Sequence, residues 1–324
     1  MTRTFLRPDD IRDLVRDRLG ADRRVATLDR LTGGTRKGVY RIGLDDGSTA
    51  ILYVWSPREN YWPETEAVPD DPFTEASGPE LFAVNQAALT AADVRVPHLI
   101  ARAPAGRHLD ADVALVEDVG GVTLEALLTR DPERAAEPLA RLGDALRRMH
   151  TTFGPRWGRL TDIARNISPT RPCEDVVLAR ASGHLAGAAA RDPRTAAARD
   201  RIAAHLRGLH DRVTPRREYA LVHGELGPDH VLVTPDGQPV MIDIEGLTRF
   251  DVEWEHAWLR LRFGAAYPRL HPLALDADRL EFYRYAQVLS LIEGPLRIAE
   301  GDFPDRRWML DLAERNITKA LTPL

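Results

Sequence analysis

Histidines and acids crowd one short stretch of this chain: His223-Gly224-Glu225-Leu226-Gly227-Pro228-Asp229-His230 and, after a run of apolar residues and a turn, Asp243 and Glu245. Carboxylates and imidazoles are the side chains that orient or deprotonate a hydroxyl and that hold a divalent cation. The residues between them fix their spacing. Val231-Leu232-Val233, the turn Pro235-Asp236-Gly237 and Val240-Met241-Ile242 read as two paired strands of one hairpin. A second chemical feature lies near the start of the chain. Leu31-Thr32-Gly33-Gly34-Thr35-Arg36-Lys37-Gly38-Val39-Tyr40 sets glycines between strand-like runs, as a phosphate-covering loop does, because missing side chains let backbone N–H groups approach the ligand. Of the 44 basic residues only Lys37 and Lys319 are lysine, so any task that needs an ammonium falls to one of these positions.

The elements that must position these groups follow from periodicity. Ile11, Leu14, Val15 and Leu19 recur at helical spacing behind Pro8-Asp9-Asp10, which predicts a first helix. Val25 to Leu31, Val39 to Leu44 and Thr49 to Trp55 are short strand-like runs divided by Gly33-Gly34 and Asp45-Asp46-Gly47, which predicts an antiparallel meander. From Ser56 to Gly78 the pattern gives way to prolines, acids and aromatics, with no base between Glu59 and Glu80, over a length unusual for a plain connection. A helix is predicted from Pro79 to Thr90, strands around Val96 to Ala101 and Val113 to Val116, and a boundary at Glu117-Asp118-Val119-Gly120-Gly121. Beyond it, helices are predicted over Leu124 to Leu128, Ala135 to His150, Glu174 to Ala190 and Arg194 to Val213, with the hairpin as the single interruption.

The hairpin and its flanks resemble the paired catalytic and metal-binding loops of the aminoglycoside and macrolide phosphotransferase family, which has a protein-kinase-like fold. That family carries His-Gly-Asp before its metal ligand, and Ile-Asp-Trp-Glu on the second loop. The resemblance implies transfer of phosphate from ATP to a hydroxyl with Mg²⁺, Glu225 orienting the acceptor and Asp243 and His230 holding the metal. Glu225 replaces the family's aspartate, and the extra methylene shifts its carboxylate by about 1 Å, a displacement that can cost roughly 10²-fold. His230 stands where protein kinases have asparagine, as it does in the macrolide and 2''-aminoglycoside branches. Phe250-Asp251-Val252-Glu253-Trp254-Glu255-His256-Ala257 resembles the family's Gly-Asp-Pro-x-x-Asp-Leu-Ala and implies acids that tie the loop to a helix start.

In the N-terminal half, Ala50-Ile51-Leu52-Tyr53 occupies the place of Val-Ala-Ile-Lys, and Tyr53 cannot supply the lysine's charge. Lys37-Gly38-Val39-Tyr40 resembles the second strand of the with-no-lysine protein kinases, which implies that Lys37 reaches the phosphates from the loop instead. On the same resemblance Gly33, Gly34 and Thr35 cover the nucleotide, Glu80 pairs with Lys37, and backbone groups of Glu117 and Val119 in Leu115-Val116-Glu117-Asp118-Val119 hold the adenine edge. Leu142 to His150 resembles the helix that opens the second lobe. The implied architecture is α+β and bilobal, with an N-lobe of residues 1–116 built on an antiparallel sheet plus a helix, and a mainly helical C-lobe of residues 117–324.

Composition bounds the partners. A net charge of −5 gives no general attraction to nucleic acid or to an anionic membrane, and a lone Cys173 can form neither an internal disulfide nor a zinc knuckle. The chain has no run long and apolar enough for a membrane span and no leader pattern, so a cytoplasmic protein is expected. The expected acceptor is a hydroxyl on a small natural product such as an aminoglycoside- or macrolide-like antibiotic, and the acids from Glu59 to Asp71 point to a cationic one. Two alternatives stand beside it. One is a kinase of Ser or Thr in a precursor peptide, with Asn60-Tyr61-Trp62-Pro63 onward as a docking flap; the other is a pseudokinase that binds nucleotide without transfer.

Overall fold

In the computed structural model, which describes residues 3–32, 34–62, 70–74, 76–167, 169–271 and 274–322, the chain opens with a 3₁₀ turn (Pro8–Ile11) that runs into helix α1 (Arg12–Leu19). Strands β1 (Val25–Arg30), β2 (Gly38–Leu44) and β3 (Thr49–Trp55) form the expected meander. Helix α2 (Pro79–Ala91) precedes β4 (Leu99–Ala103) and β5 (Asp112–Glu117). These strands make a five-stranded antiparallel sheet in the order β1-β2-β3-β5-β4.

Successive side chains of a strand point to opposite faces, and β3 is apolar on both. Leu52 and Val54 pack with Ile11, Leu14 and Val15, whereas Ile51 and Tyr53 pack with Phe82 and Leu89 of α2. A strand covered on both faces needs an unbroken apolar run, which Ala50-Ile51-Leu52-Tyr53-Val54 supplies. Strand β4 begins at Leu99 rather than Val96 because Pro97 has no N–H for the ladder. Val94 and Val96 instead join the core under α2.

After β5 the chain is mainly helical. A short strand β6 (Val122–Thr123) leads into α3 (Leu124–Arg130) and α4 (Ala136–His150). Strand β7 (Gly158–Arg159) leads into α5 (Leu160–Ala164), α6 (Cys173–Ala189), α7 (Pro193–Ala197) and α8 (Arg199–His210). The sequence predicts one helix over 194–213, but Ala198, at φ −98° and ψ 1°, lies outside the helical range and separates α7 from α8. Strands β8 (Ala220–Val222), β9 (Val231–Val233), β10 (Pro239–Met241) and β11 (Thr248–Phe250) come before α9 (Val252–Phe263), α10 (Ala277–Ala299) and α11 (Arg306–Leu321).

The predicted hairpin is β9 with β10, and β6 adds to its edge; β11 pairs with both β7 and β8 in a separate small sheet. Strands β6, β7 and β11 are too short for alternation to register in the sequence. Helix α10 is apolar around much of its circumference, with Leu280, Phe282, Tyr283, Tyr285, Val288, Leu289 and Ile292 buried, and it packs against α6, α9 and α11 as an interior helix. One core joins the two halves. Ile51, Tyr53 and Phe82 share it with Leu139, Leu142 and Met149 of α4 and with Val231, Met241 and Ile244 of the hairpin. Packing of this kind holds the hairpin in register with the loop between β1 and β2.

Candidate active site

Strand β8 delivers the chain to His223, and the loop that follows is held from below. Gly224 has φ +94°, and a Cβ there would come within 3.0 Å of Gly246 O and 3.1 Å of Phe73, so only glycine fits the bend. Its N–H donates to Glu255 Oε2 at 3.0 Å. Burial pushes the Glu255 carboxyl up to about 7, against the N–H groups of the loop that favour its charged form. His223 is buried, its Nε2 lies 3.0 Å from Ile242 O, and burial takes its pKa down to about 4, so it is the neutral donor in that bond. Glu225 itself is exposed.

His230 ends a 3₁₀ turn (Pro228–His230), with its Nδ1 3.0 Å from Glu225 O. A carbonyl oxygen only accepts, so Nδ1 carries a hydrogen and Nε2 is the nitrogen turned toward the acids. That is the arrangement of a metal-holding imidazole. Nε2 lies 3.7 Å from both Asp243 Oδ2 and Asp229 Oδ2, wider than a hydrogen bond, and Asp229 Oδ1 is held by Arg262 at 2.6 Å. The Asp243 carboxylate is the oxygen donor type that the Mg²⁺ implied by the family resemblance takes, with His230 beside it.

Asp243 sits directly after the hairpin at φ 59° and ψ 46°, a left-handed conformation that swings its side chain back over the hairpin end. From the loop between β1 and β2, Lys37 Nζ reaches Asp243 Oδ1 at 2.6 Å and Glu245 Oε1 at 2.5 Å. Burial opposes the charge on Lys37, but Asp243 and Glu245 outweigh it and its pKa rises. The same ammonium holds Asp243 well below the usual carboxylate range, while burial pushes Glu245 up. Tyr53 contributes its ring, 5.0 Å from Nζ, in place of a charge.

The structure thus brings Lys37, Asp243, His230 and the Glu225 loop to one place. It does not bring Glu80. That residue lies in the exposed first turn of α2 and pairs with Arg165 at 2.6 Å, so its expected pairing with Lys37 is corrected. The inward face of α2 presents Phe82, whose ring is 5.4 Å from Tyr53, and Asn85, which donates to Ile244 O at 2.9 Å and Glu245 O at 3.0 Å. Of the loop residues, Gly33 lies outside the described ones. At Gly34 a Cβ would come within 2.7 Å of Lys37 O, and Thr35 accepts from Tyr61 N at 2.8 Å and from Trp62 Nε1 at 3.0 Å. Glu117 ends β5, where its N–H donates to His98 O at 2.9 Å, and Val119 follows it half-buried.

Of the acids expected to attract a cation, Glu59 and Asp71 are turned inward, while Asp70 is exposed with Arg171 at 3.8 Å. Glu59 is buried against Arg30 at 2.9 Å and against the Tyr40 hydroxyl, and Asp71 is buried with Arg180, Thr74 and Phe73 N; Glu64 and Glu66 lie outside the described residues. Tyr61 and Trp62 are likewise packed in the molecule rather than forming a free flap, Tyr61 edge-on to Phe303 at 5.4 Å and Trp62 against Gly294; Pro63 is outside the described residues. Sequence reasoning missed Glu255 as the loop's anchor, Asn85 as its brace and Asp229 as a third acid. Only the acid pattern after Asp251 hinted at the first.

The chain belongs to the phosphotransferase enzyme family, whose model matches residues 27–296. No curated protein matches it by sequence. Among solved structures it is similar to a spectinomycin phosphotransferase in complex with ADP and spectinomycin, with a TM-score of 0.68 at 11% identity over 98% of this chain and 99% of that one. A thermostable mutant of the aminoglycoside phosphotransferase APH(4)-Ia in a ternary complex with AMP-PNP and hygromycin B gives 0.65 at 16% identity, over 97% and 99%. The GDP complex of aminoglycoside 2'-phosphotransferase-IIIa gives 0.61 at 14%, over 97% and 99%. These likenesses show the kinase-like α+β fold. No helix among the described residues is long and apolar enough to cross a membrane.

Proposed function

We propose that this chain transfers the γ-phosphate of ATP to a hydroxyl of a small natural product. The observation that carries the reading is the meeting of Lys37, from the N-terminal sheet, with Asp243 at the end of the hairpin and next to His230. In this reading Lys37 stands in for the lysine that β3 lacks at Tyr53 and meets the nucleotide phosphates as a point charge. Gly33, Gly34 and Thr35 cover those phosphates, and backbone groups of Glu117 and Val119 take the adenine edge. Asp243 and His230 would hold Mg²⁺, which when bound neutralises the phosphates. The Glu225 carboxylate orients the acceptor hydroxyl and takes its proton as the oxygen attacks. The tie from His230 Nδ1 to the Glu225 carbonyl fixes the loop that aims it. A division into lobes at residues 116 and 117 belongs to the same proposal, supported by β5 ending at Glu117 and by Arg41 holding Asp118 at 2.7 Å across it.

A pseudokinase reading has one observation in its favour: Lys37 is already paired inside the protein with two carboxylates. Calorimetric titration with AMP-PNP, with and without Mg²⁺, followed by transfer of labelled γ-phosphate to a panel of hydroxyl compounds and Ser/Thr peptides, separates the readings. Metal-dependent binding with labelled product is the expected result. Binding without transfer to any acceptor would leave the pseudokinase, and no nucleotide binding would remove both.

A further inference from the structure

The groups around Glu225 carry a charge pattern that phosphoryl transfer alone does not require. Three arginines from three separate elements gather round Trp62 and Phe73 beside the Gly224-Glu225 loop. Arg36 precedes Lys37 in the loop, Arg180 lies on α6 and Arg297 on α10. The guanidinium of Arg36 is 4.7 Å and that of Arg297 5.3 Å from a ring centroid of Trp62, so both cations rest on one indole. Arg180 lies 5.8 Å from the Phe73 ring, and Phe73 is the side chain packed against Gly224, the residue before Glu225.

Their partners do not use them up. Arg180 pairs with the buried Asp71 and with Thr74 through Nη1, and its side chain stays 19% exposed with no bond from Nη2 among the described residues. Arg297 Nε stands 3.4 Å from Glu293 Oε1 in ion-pair but not hydrogen-bond geometry, and Glu293 is shared with His184 at 3.3 Å and Arg191 at 3.8 Å. Arg36 has no carboxylate within ion-pair distance among the described residues. Burial, then Arg180 and Arg297, push its pKa down, while Glu225 and Asp243 pull the other way. A half-buried guanidinium with like charges beside it gains by binding an anion, and its planar fork suits a carboxylate or a phosphate. A polycation would meet the same three charges as repulsion, and two of the acids in the preceding segment, Glu59 and Asp71, are buried in pairs of their own.

We propose that the phosphate acceptor carries an anionic group, a carboxylate or a phosphate, and that Arg36, Arg180 and Arg297 bind this group beside Glu225. The proposal rests on the phosphotransferase reading for the word acceptor, but the anion site can be tested apart from it. Protein saturated with AMP-PNP and Mg²⁺ is titrated at constant ionic strength with inorganic phosphate, with acetate and with kanamycin. One of the two anions should bind with a higher affinity than kanamycin. Phosphate ahead of acetate would mark a phosphate-bearing acceptor, and acetate ahead of phosphate a carboxylate. Arg36→Met and Arg297→Met should each weaken anion binding by about tenfold or more, with Arg36→Lys in between, since a charged hydrogen bond is lost in the first two and only the fork in the last.

Anion binding unchanged in both methionine variants, no anion binding, or tighter binding of kanamycin than of either anion would overturn the proposal. If AMP-PNP does not bind, the phosphotransferase reading fails by itself and the phosphate titration is run on the free protein. Loss of phosphate binding in Arg36→Met and Arg297→Met but not in Lys37→Met then supports the anion site, and the reverse pattern places the anion at Lys37 and ends the proposal.

Discussion

Asp243 and Asp251 stand at the two ends of one short stretch, and their surroundings are opposite. Asp243 is 47% exposed and has one ammonium, Lys37, against it. Asp251 is fully buried, paired with Arg279 and with Arg216 at 3.2 Å, and accepts from the Tyr283 hydroxyl at 2.5 Å. Around Asp251 every carboxylate meets a guanidinium, although Asp251 Oδ1 and Glu253 Oε2 accept no hydrogen bond: Arg279 also bridges Glu174 at 2.8 Å, and Arg216 reaches Glu253 at 2.8 Å. Cys173, Glu174 and Asp251 offer potential metal-ligand atoms within 4.8 Å of one another, but Arg279 already pairs with both carboxylates. Around Asp243 the network is open, with His230 Nε2 and Asp229 Oδ2 held apart at 3.7 Å and the Glu245 carboxylate touching Lys37 without a well-formed hydrogen bond. A closed cluster fixes a helix start, whereas an open one retains capacity for a ligand. Neighbouring acids of the same type thus separate into structure and chemistry by what saturates them.

The contrast predicts that changes at Asp243 remove activity and spare the fold, while changes at Asp251's partners do the reverse. Asp243→Asn should abolish metal-dependent nucleotide binding and transfer with little change in Tm; a folded variant with unchanged Mg²⁺-AMP-PNP affinity would take Asp243 out of the site. Lys37→Met should lower transfer by roughly 10²- to 10³-fold, the usual loss for one pre-placed charge, while Arg58→Met, at the exposed arginine after β3 that could otherwise supply the charge, does little. A silent Lys37→Met with a dead arginine variant would show that the lysine has not been relocated. Glu225→Gln should cost roughly 10²-fold in turnover and leave AMP-PNP binding near normal, and full activity there would sink its role. Glu225→Asp sharpens the point, because faster turnover marks the longer acid as a partial loss and slower turnover marks a loop built around it.

On the structural side, Arg279→Met leaves Asp251 and Glu174 buried without their cation and should destabilise the fold by about 3–5 kcal/mol, read as a lower denaturation midpoint. Unchanged stability would mean that the cluster is not the lock it resembles. The smallest effect concerns Glu255. Its carboxyl titrates at about 7 in the fold and at 4.5 when free, so the folded state holds the extra proton between those values. A raised acid pKa means that its contribution to stability falls as pH rises from 4.5 to 7. Glu255→Gln keeps an acceptor for Gly224 N–H and removes the titration, so its Tm should rise relative to the parent protein across that window. Parallel Tm–pH curves for the two proteins would refute this.

The sequence by itself was enough for the meander, α2, α4 and the β9–β10 hairpin, because alternation and helical spacing are local properties and each of these elements is long enough or punctuated enough to display them. It also grouped Glu225, His230 and Asp243 as site candidates, through the family resemblance, because they lie on one local unit whose spacing the hairpin sets. It did not determine partners. Glu80 has the right type on the right helix, yet the helix phase turns it to Arg165 and turns Phe82 and Asn85 to the site. Lys37 could be singled out by its rarity, but that it meets Asp243 and Glu245 depends on the shared core that sets the sheet against the hairpin. The same holds for Glu255 under the loop and for Arg36 and Arg297 meeting on Trp62. These contacts join segments far apart in the chain, and only tertiary packing decides which face of each segment is turned toward the other.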